Sequence, residues 1–329
     1  TVIPYNQSFY YKLRPTIAIP KKDILTINKE SGLHFNLKSV MNLFETGEVK
    51  IIQNLGYPNP ILSHFRSIDI WETGSDGKKQ NRNGWLVSSL ERYSKNQYID
   101  GKGMFLDNSN TIFRGGFEGY LGPSSIGLEP EQIEVRDTLV PIDTRKNYGL
   151  LNQLIETRKK NQNVLNKFIT KLKNKKSNYY FEGGQLGSQL SKVCNLIASG
   201  INIPVFKTAI GSFDTHNNQL GTHKRLLKDL DLAIRDTAKA LKQLGVWDDT
   251  IIMTYSEFGR RANENGSRGT DHGMAAPHFI IGGSIKGGII GEYQDLSNLW
   301  NNNIHYKIDY RSLYEFILRE HFNINDNPF

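Results

Sequence analysis

Cysteine is almost missing from this chain. Among 329 residues there is one, Cys194, so no intrachain disulfide can form. Its setting, "LSKVCNLIASG", is an apolar helical pattern, which suits a packed core thiol better than a nucleophile. Long apolar runs are missing as well, and no stretch is suited to spanning a membrane. The opening residues "TVIPYNQSFYYKL" are not expected to be a signal peptide. The chain opens on Thr1 rather than Met, so an upstream segment is expected and localisation cannot be read directly. No internal repeat is visible.

A balance of charge is also lacking. Lys and Arg number 41 against 33 Asp and Glu, giving +8. Much of the excess lies in "RKKNQNVLNKFITKLKNKKSN", Arg158–Asn178, where Val164, Leu165, Phe168, Ile169 and Leu172 recur at helical spacing. That pattern reads as an amphipathic helix with a wet basic face, and nucleic acid is not the expected partner. A positive field still favours an anionic substrate. The rest is ordinary: 38% hydrophobic and 22% charged residues suffice for a large core.

The elements follow from periodicity. Helices are expected over Phe35–Gly47, Ser63–Gly74, Gly84–Asn96, Tyr148–Lys173, Gly184–Gly200, His223–Gly245 and Asp309–Phe322. In the second of these, Phe65, Ile68, Ile70 and Trp71 are the expected apolar positions. Short, nearly continuous apolar strands are expected at Val49–Gly56, Ile203–Ile210, Thr250–Tyr255 and His278–Gly283. Residues 110–147 read as strand and turn followed by a surface insertion rich in Pro and charge. Alternating strands and helices predict an α/β fold with a mainly parallel sheet covered on both faces. Ligands then collect at the carboxyl ends of the strands.

Three expected strands empty there into polar clusters. After the first comes "NPILSHFRS", where Ser63 opens a helix. It is either an N-cap or a nucleophile held beside backbone N–H groups, and its neighbour His64 is a ligand or an acid. After the second comes "FDTH". Asp214 and His216, two apart on an extended chain, point the same way and suit a divalent ion. His223 can join them or orient one. After the third comes "SEFGRR", with Glu257 as a carboxylate ligand or a salt-bridge partner. Arg260 and Arg261 are a fork for an anionic oxyacid. A fourth cluster, "GTDHG", adds Asp271 and His272, and reaches that edge only through a connecting loop.

The ordered set "GYPNPILSHFRSIDIWETG", "GSFDTHNNQ", "YSEFGRRANENGSRGTDHGMAAPHFIIGG" and "KGGIIGEY" resembles the bacterial family named domain of unknown function 1501 (DUF1501), grouped with the alkaline-phosphatase-like superfamily. The resemblance covers nearly the whole chain. It implies a single three-layer α/β/α domain over residues 1–329, lacking its first strand. It also implies a divalent-metal site, with Zn²⁺ the first choice and Mg²⁺, Mn²⁺ or Ca²⁺ as alternatives. Asp214 and His216 look like one ligand pair, His272 like the late histidine ligand and Ser63 like the nucleophile. Relatives carry an acidic "GG-x-DGLN" turn ahead of "TVIPY" that this chain does not show. They place an Asp-His pair where Ser256-Glu257 stands here, which makes one metal the firmer expectation over two.

The resulting expectation is a metal-dependent hydrolase of phosphate or sulfate esters. Ser63, His64, Arg260 and Arg261 do the chemistry, and Asp214, His216, Glu257, Asp271 and His272 hold the metal. The partner is a small anionic ester. The alternative is a non-catalytic cell-envelope binding protein on a degenerate hydrolase fold. The resemblance places either in the periplasm or outside the cell, with the cytoplasm as the other location.

Overall fold

A computed structural model describes residues 1–95, 97–116, 118–122, 159, 166, 170–171, 178–292, 295–325 and 329. These residues form a mixed α/β protein. The insertion expected at 110–147 lies outside them from residue 123 onward, as does most of the helix expected over Tyr148–Lys173. Lys159, Asn166, Thr170 and Lys171 within that stretch are helical. No helix of the described residues is long and apolar enough to cross a membrane.

The chain forms two compact units. The first comprises Thr1–Arg82, Tyr179–Cys194 and Ile210–Phe329, and the second Asn83–Asn178 and Asn195–Ala209. The first unit is built on one long strand, β1 (Val49–Gly56), buried along nearly its whole length. A strand covered on both faces is rich in apolar residues, and "VKIIQNLG" supplies Val49, Ile51, Ile52 and Leu55, with Gln53 and Asn54 buried among them. Its neighbours are β2 (Ile252–Met253), β3 (Ala276–Ile281), β4 (Gly288–Ile290) and β5 (Ile308–Asp309). The order is β4-β1-β3-β2, with β5 also paired to β1.

Strands β4 and β5 run parallel to β1 and share one of its edges, β4 against Lys50–Ile52 and β5 against Leu55–Gly56. Between them Asn54 takes a left-handed φ of 54°, a region that Asn tolerates better than most residues. Its side chain bonds the Glu292 carbonyl at 3.0 Å. Strand β3 is antiparallel to both β1 and β2, so the sheet is mixed where the strand pattern alone predicted a mainly parallel one. This reversal has a consequence for the site. Because β3 runs backwards, its first residue, Ala276, lies beside Leu55 near the end of β1. The "GTDHG" segment just before β3 is therefore delivered to the carboxyl end of β1 by the strand direction itself.

Helix α1 (Lys38–Glu45) packs on α3 (Gln219–Gln243). Asp231 of α3 is buried, and its Oδ1 accepts the N–H groups of Ser39 at 2.8 Å and Val40 at 2.9 Å, serving the open first turn of α1. Helix α2 (His64–Thr73) follows β1 and ends on Gly74 at φ 67°, the left-handed cap that glycine adopts freely. Trp71 of α2 stacks on Tyr310 of α4 (Tyr310–Glu320), with ring centroids 4.3 Å apart. Tyr310 Oη donates to the Ile70 and Ser75 carbonyls. Ile70 and Trp71 are core residues as expected, whereas Phe65 is 90% exposed.

In the second unit, Gly103–Phe105 pairs in parallel with Tyr120–Leu121 and with Phe206–Lys207. The strand expected at Ile203–Ile210 is thus reduced to Phe206–Lys207 and belongs to a different sheet from β1. Met104, Leu121, Leu196, Ile201 and Ile203 form its core. Cys194, the last residue of the first unit's segment Tyr179–Cys194, is buried and free, and burial pushes its thiol up to about 12.

Candidate functional site

Four chain segments of the first unit bring their polar residues together. Leu62, Ser63 and His64 stand at the start of α2. Asp214, Thr215 and His216 lie in the irregular segment before α3. The last two segments form a short antiparallel ladder, Gly259–Arg260 against His272–Gly273, in which His272 faces Arg260 and Gly273 faces Gly259. Residues twelve apart in sequence are thereby paired directly across a ladder. The approach is close, since a Cβ on Gly273 would lie 2.4 Å from the Arg260 carbonyl carbon.

Asp214 is the hub. Its Oδ1 accepts from Arg260 Nη1 at 2.5 Å and lies 3.1 Å from both His216 Nε2 and His272 Nε2. His64 Nε2 lies 3.1 Å from its Oδ2. Burial alone would raise the Asp214 carboxyl. The bond and charge of Arg260, with His216 and His272 close by, outweigh that and hold it at about 2. His216 Nε2 and His272 Nε2 are 3.1 Å apart. His64, Asp214 and His272 also offer ligand atoms that all lie within 4.8 Å of one another.

The far side of each imidazole is held too. His272 Nδ1 lies 2.8 Å from the Leu62 carbonyl, His64 Nδ1 lies 2.9 Å from Glu257 Oε1, and His216 Nδ1 lies 3.4 Å from Asp271 Oδ1. Phe258 stacks on His272 at 4.0 Å and leans on His64 at 4.8 Å, limiting rotation of both rings. Ser256 Oγ donates to Glu257 Oε2 at 3.1 Å, leaving Oε1 for His64.

The site residues expected from the sequence are therefore close together, with their roles distributed. Asp214, His216 and His272 are adjacent. Glu257 and Asp271 contact the cluster through His64 and His216. Asp271 is held below the usual carboxylate range by its bond from Asn265, with His216 and the Arg261 charge adding to this. Arg260 directs Nη1 at Asp214, and donates Nε to Thr270 Oγ1 at 3.1 Å and Nη2 to the Thr270 carbonyl. Arg261 follows it with a buried Nε that has no hydrogen-bond partner among the described residues, and its carbonyl accepts from Arg14 at 3.0 Å. Ser63 is exposed at the N-cap of α2 and makes no capping side-chain bond. It is bracketed by Leu62, whose carbonyl faces His272, and His64, which faces Asp214. His223 stands one step back, its Nε2 2.9 Å from Thr215 Oγ1.

Sequence reasoning missed several supports. The Leu62 carbonyl carries no side-chain signal at all. Thr270, fully buried, and Gln219 form a hydroxyl–amide bond of 2.7 Å beneath Arg260. Asn265 bonds the His216 carbonyl at 2.9 Å, and its Oδ1 accepts the N–H groups of Ser267 and Gly269. That turn was readable in "NENGSRG", since Asn side chains fold back on their own backbone.

The donor set fits a divalent cation of the zinc class, as imidazole nitrogens and a carboxylate oxygen converge at ligand spacing. No curated protein matches the chain, and no solved structure does. A family model described as a protein of unknown function (DUF1501) matches residues 144–320. With more than half of its length inside that match, the chain belongs to the DUF1501 family.

Proposed function

We propose that this chain is a metal-dependent hydrolase of phosphate or sulfate esters. One observation carries the reading. His64, His216 and His272 turn Nε2 toward the single carboxylate of Asp214, while each Nδ1 faces its own acceptor. Rings that give their proton on the Nδ1 side present lone pairs inward, and inward lone pairs beside a carboxylate call for a cation.

A bound divalent ion would supply the positive charge that polarises an ester oxygen and eases loss of the serine proton. The protein's own residues do the rest. The Ser63 hydroxyl, exposed at the positive end of α2, gives up its proton and attacks phosphorus or sulfur. The ester P–O or S–O bond breaks and the leaving alcohol takes up a proton. Water then cleaves the phospho- or sulfo-serine to release the free anion and restore Ser63. Arg260 and Arg261 add counter-charge for the anionic ester. Thr270 fixes Arg260, so its orientation need not be acquired when substrate binds.

In the same reading, residues 1–329 form one alkaline-phosphatase-like three-layer domain with a surface insertion at 110–147, and the protein is exported to the periplasm. A non-catalytic envelope binding protein is the second reading. It is favoured by the Arg260 guanidinium, which already offsets the Asp214 charge.

The test is to load the chelator-stripped chain with Zn²⁺ and follow release of nitrophenol from aryl phosphate and aryl sulfate. Turnover that Ser63→Ala abolishes supports the hydrolase. Tight Zn²⁺ binding with no cleavage of either ester leaves the binding protein.

A further inference from the structure

The chain contains two Asn-Gly pairs, Asn83–Gly84 and Asn265–Gly266. Such a pair carries its own reaction. The glycine amide nitrogen can attack the side-chain amide carbon of the asparagine, because no Cβ on the glycine stands in the way. Attack depends on what holds the nitrogen and what polarises the carbon, and the fold treats the two pairs in opposite ways.

At Asn83–Gly84 the nitrogen is already engaged. The Gly84 N–H donates to the Arg114 carbonyl at 2.8 Å, and Gly84 is buried so closely that a Cβ there would lie 2.0 Å from the Ile112 carbonyl oxygen. At Asn265–Gly266 the nitrogen is open. The Arg268 N–H donates to the Asn265 carbonyl at 3.3 Å and closes a β-turn, with Gly266 at its first central position. The Gly266 N–H has no partner among the described residues. Gly266 is exposed, and nothing lies within 4 Å of where its Cβ would stand. The carbon is prepared as well. Asn265 Oδ1 accepts the N–H groups of Ser267 and Gly269, both at 3.0 Å. Two donors on that oxygen draw charge from the amide carbon and are placed to hold the oxyanion that attack creates.

We infer that Asn265 is a site of spontaneous deamidation, selected over Asn83 by the fold, and that its conversion loosens the His216 segment. The Gly266 nitrogen gives its proton to solvent base and bonds to Asn265 Cγ. The Cγ–Nδ2 bond breaks, and Nδ2 takes up a proton and leaves as ammonia, giving a succinimide. Water opens that ring at either carbonyl and yields aspartate or isoaspartate, with no change of oxidation state. The lost amide was a structural donor, since Asn265 Nδ2 bonds the His216 carbonyl at 2.9 Å and Asp271 Oδ1 at 3.3 Å. A carboxylate has no proton for either oxygen, and its charge repels that of Asp271. Isoaspartate also adds a methylene to the backbone within the 265–268 turn. The reaction needs neither a metal nor an ester.

The experiment holds the full folded chain in mildly alkaline buffer made with heavy-oxygen water. The chain is then digested in ordinary water, and the peptides carrying each pair are weighed by mass spectrometry. The Asn265 peptide is expected to gain heavy oxygen and to contain isoaspartate, while the Asn83 peptide gains none. In denaturant the two pairs are expected to react at similar rates, because only the fold distinguishes them. Gly266→Ala is expected to slow the folded reaction severalfold without moving the thermal midpoint, since its Cβ meets nothing and Gly266 is not left-handed. Asn265→Asp is expected to lower that midpoint. No reaction at Asn265, reaction at Asn83 as fast as at Asn265 in the folded chain, the same preference persisting in denaturant, or an unaltered rate in Gly266→Ala each overturns the assignment. An unchanged midpoint in Asn265→Asp overturns the loosening of the His216 segment.

Discussion

Arg260 lies directly across a two-stranded ladder from His272, and both side chains turn onto the same oxygen of Asp214. The guanidinium is the leading cause that holds the Asp214 carboxyl near 2 against the opposing effect of burial. Arg260→Ala is expected to raise that carboxyl toward or above its ordinary 3.8, as carbon-13 NMR of the side-chain carboxyl would show. An unchanged titration would mean that the two imidazoles, not the guanidinium, set the charge at the hub.

Gly269 passes so close to His216 that a Cβ there would lie 2.2 Å from the His216 carbonyl carbon. Gly269→Ala must displace the His216 backbone or the Asn265 turn. Overpacking of this kind costs about 1–3 kcal/mol, read by denaturant unfolding. Zinc affinity should fall along with stability. The same substitution at Gly211, where nothing lies within 4 Å, is the control.

His278 is buried near the start of the central antiparallel strand, with Trp71 across it at 5.4 Å and no partner for Nε2 among the described residues. Desolvation lowers it from 6.5 to about 4. The folded state keeps the ring neutral while the unfolded chain protonates it, so this contribution is whole above pH 6.5. It is lost as pH falls toward 4, by roughly 3 kcal/mol at most. Unfolding free energies between pH 7 and pH 4 should show that loss, and His278→Leu should reduce it.

Asp231→Ala removes the acceptor of two N–H groups in the first turn of α1 and leaves them buried against α3. A charged hydrogen bond of this kind contributes about 1.5–3 kcal/mol. Chemical denaturation should shift by that order, and Asp231→Asn, which keeps one acceptor oxygen, should shift less.

Much of the first unit was legible because its signals are local. Val49–Gly56 was readable as a strand because Val49, Ile51, Ile52 and Leu55 make a short β-branched and apolar run closed by Gly56. Helices α1, α2, α3 and α4 lie within a few residues of their periodic patterns. Ile70 and Trp71 were readable as core positions, but Phe65 was not readable as exposed. A helix pattern marks apolar residues without telling which of them a partner covers.

The sequence by itself settled the family, the α/β class and which polar residues gather, because the chemistry of "FDTH", "SEFGRR" and "GTDHG" is written in residue types. Only the tertiary structure decided who touches whom. The direction of β3, the ladder between Arg260 and His272 and the Leu62 carbonyl are long-range or main-chain features. They depend on which segments pair, and a linear string of side chains does not encode that locally. For that reason Glu257 and Asp271 read as ligands in the sequence and stand behind imidazoles in the fold.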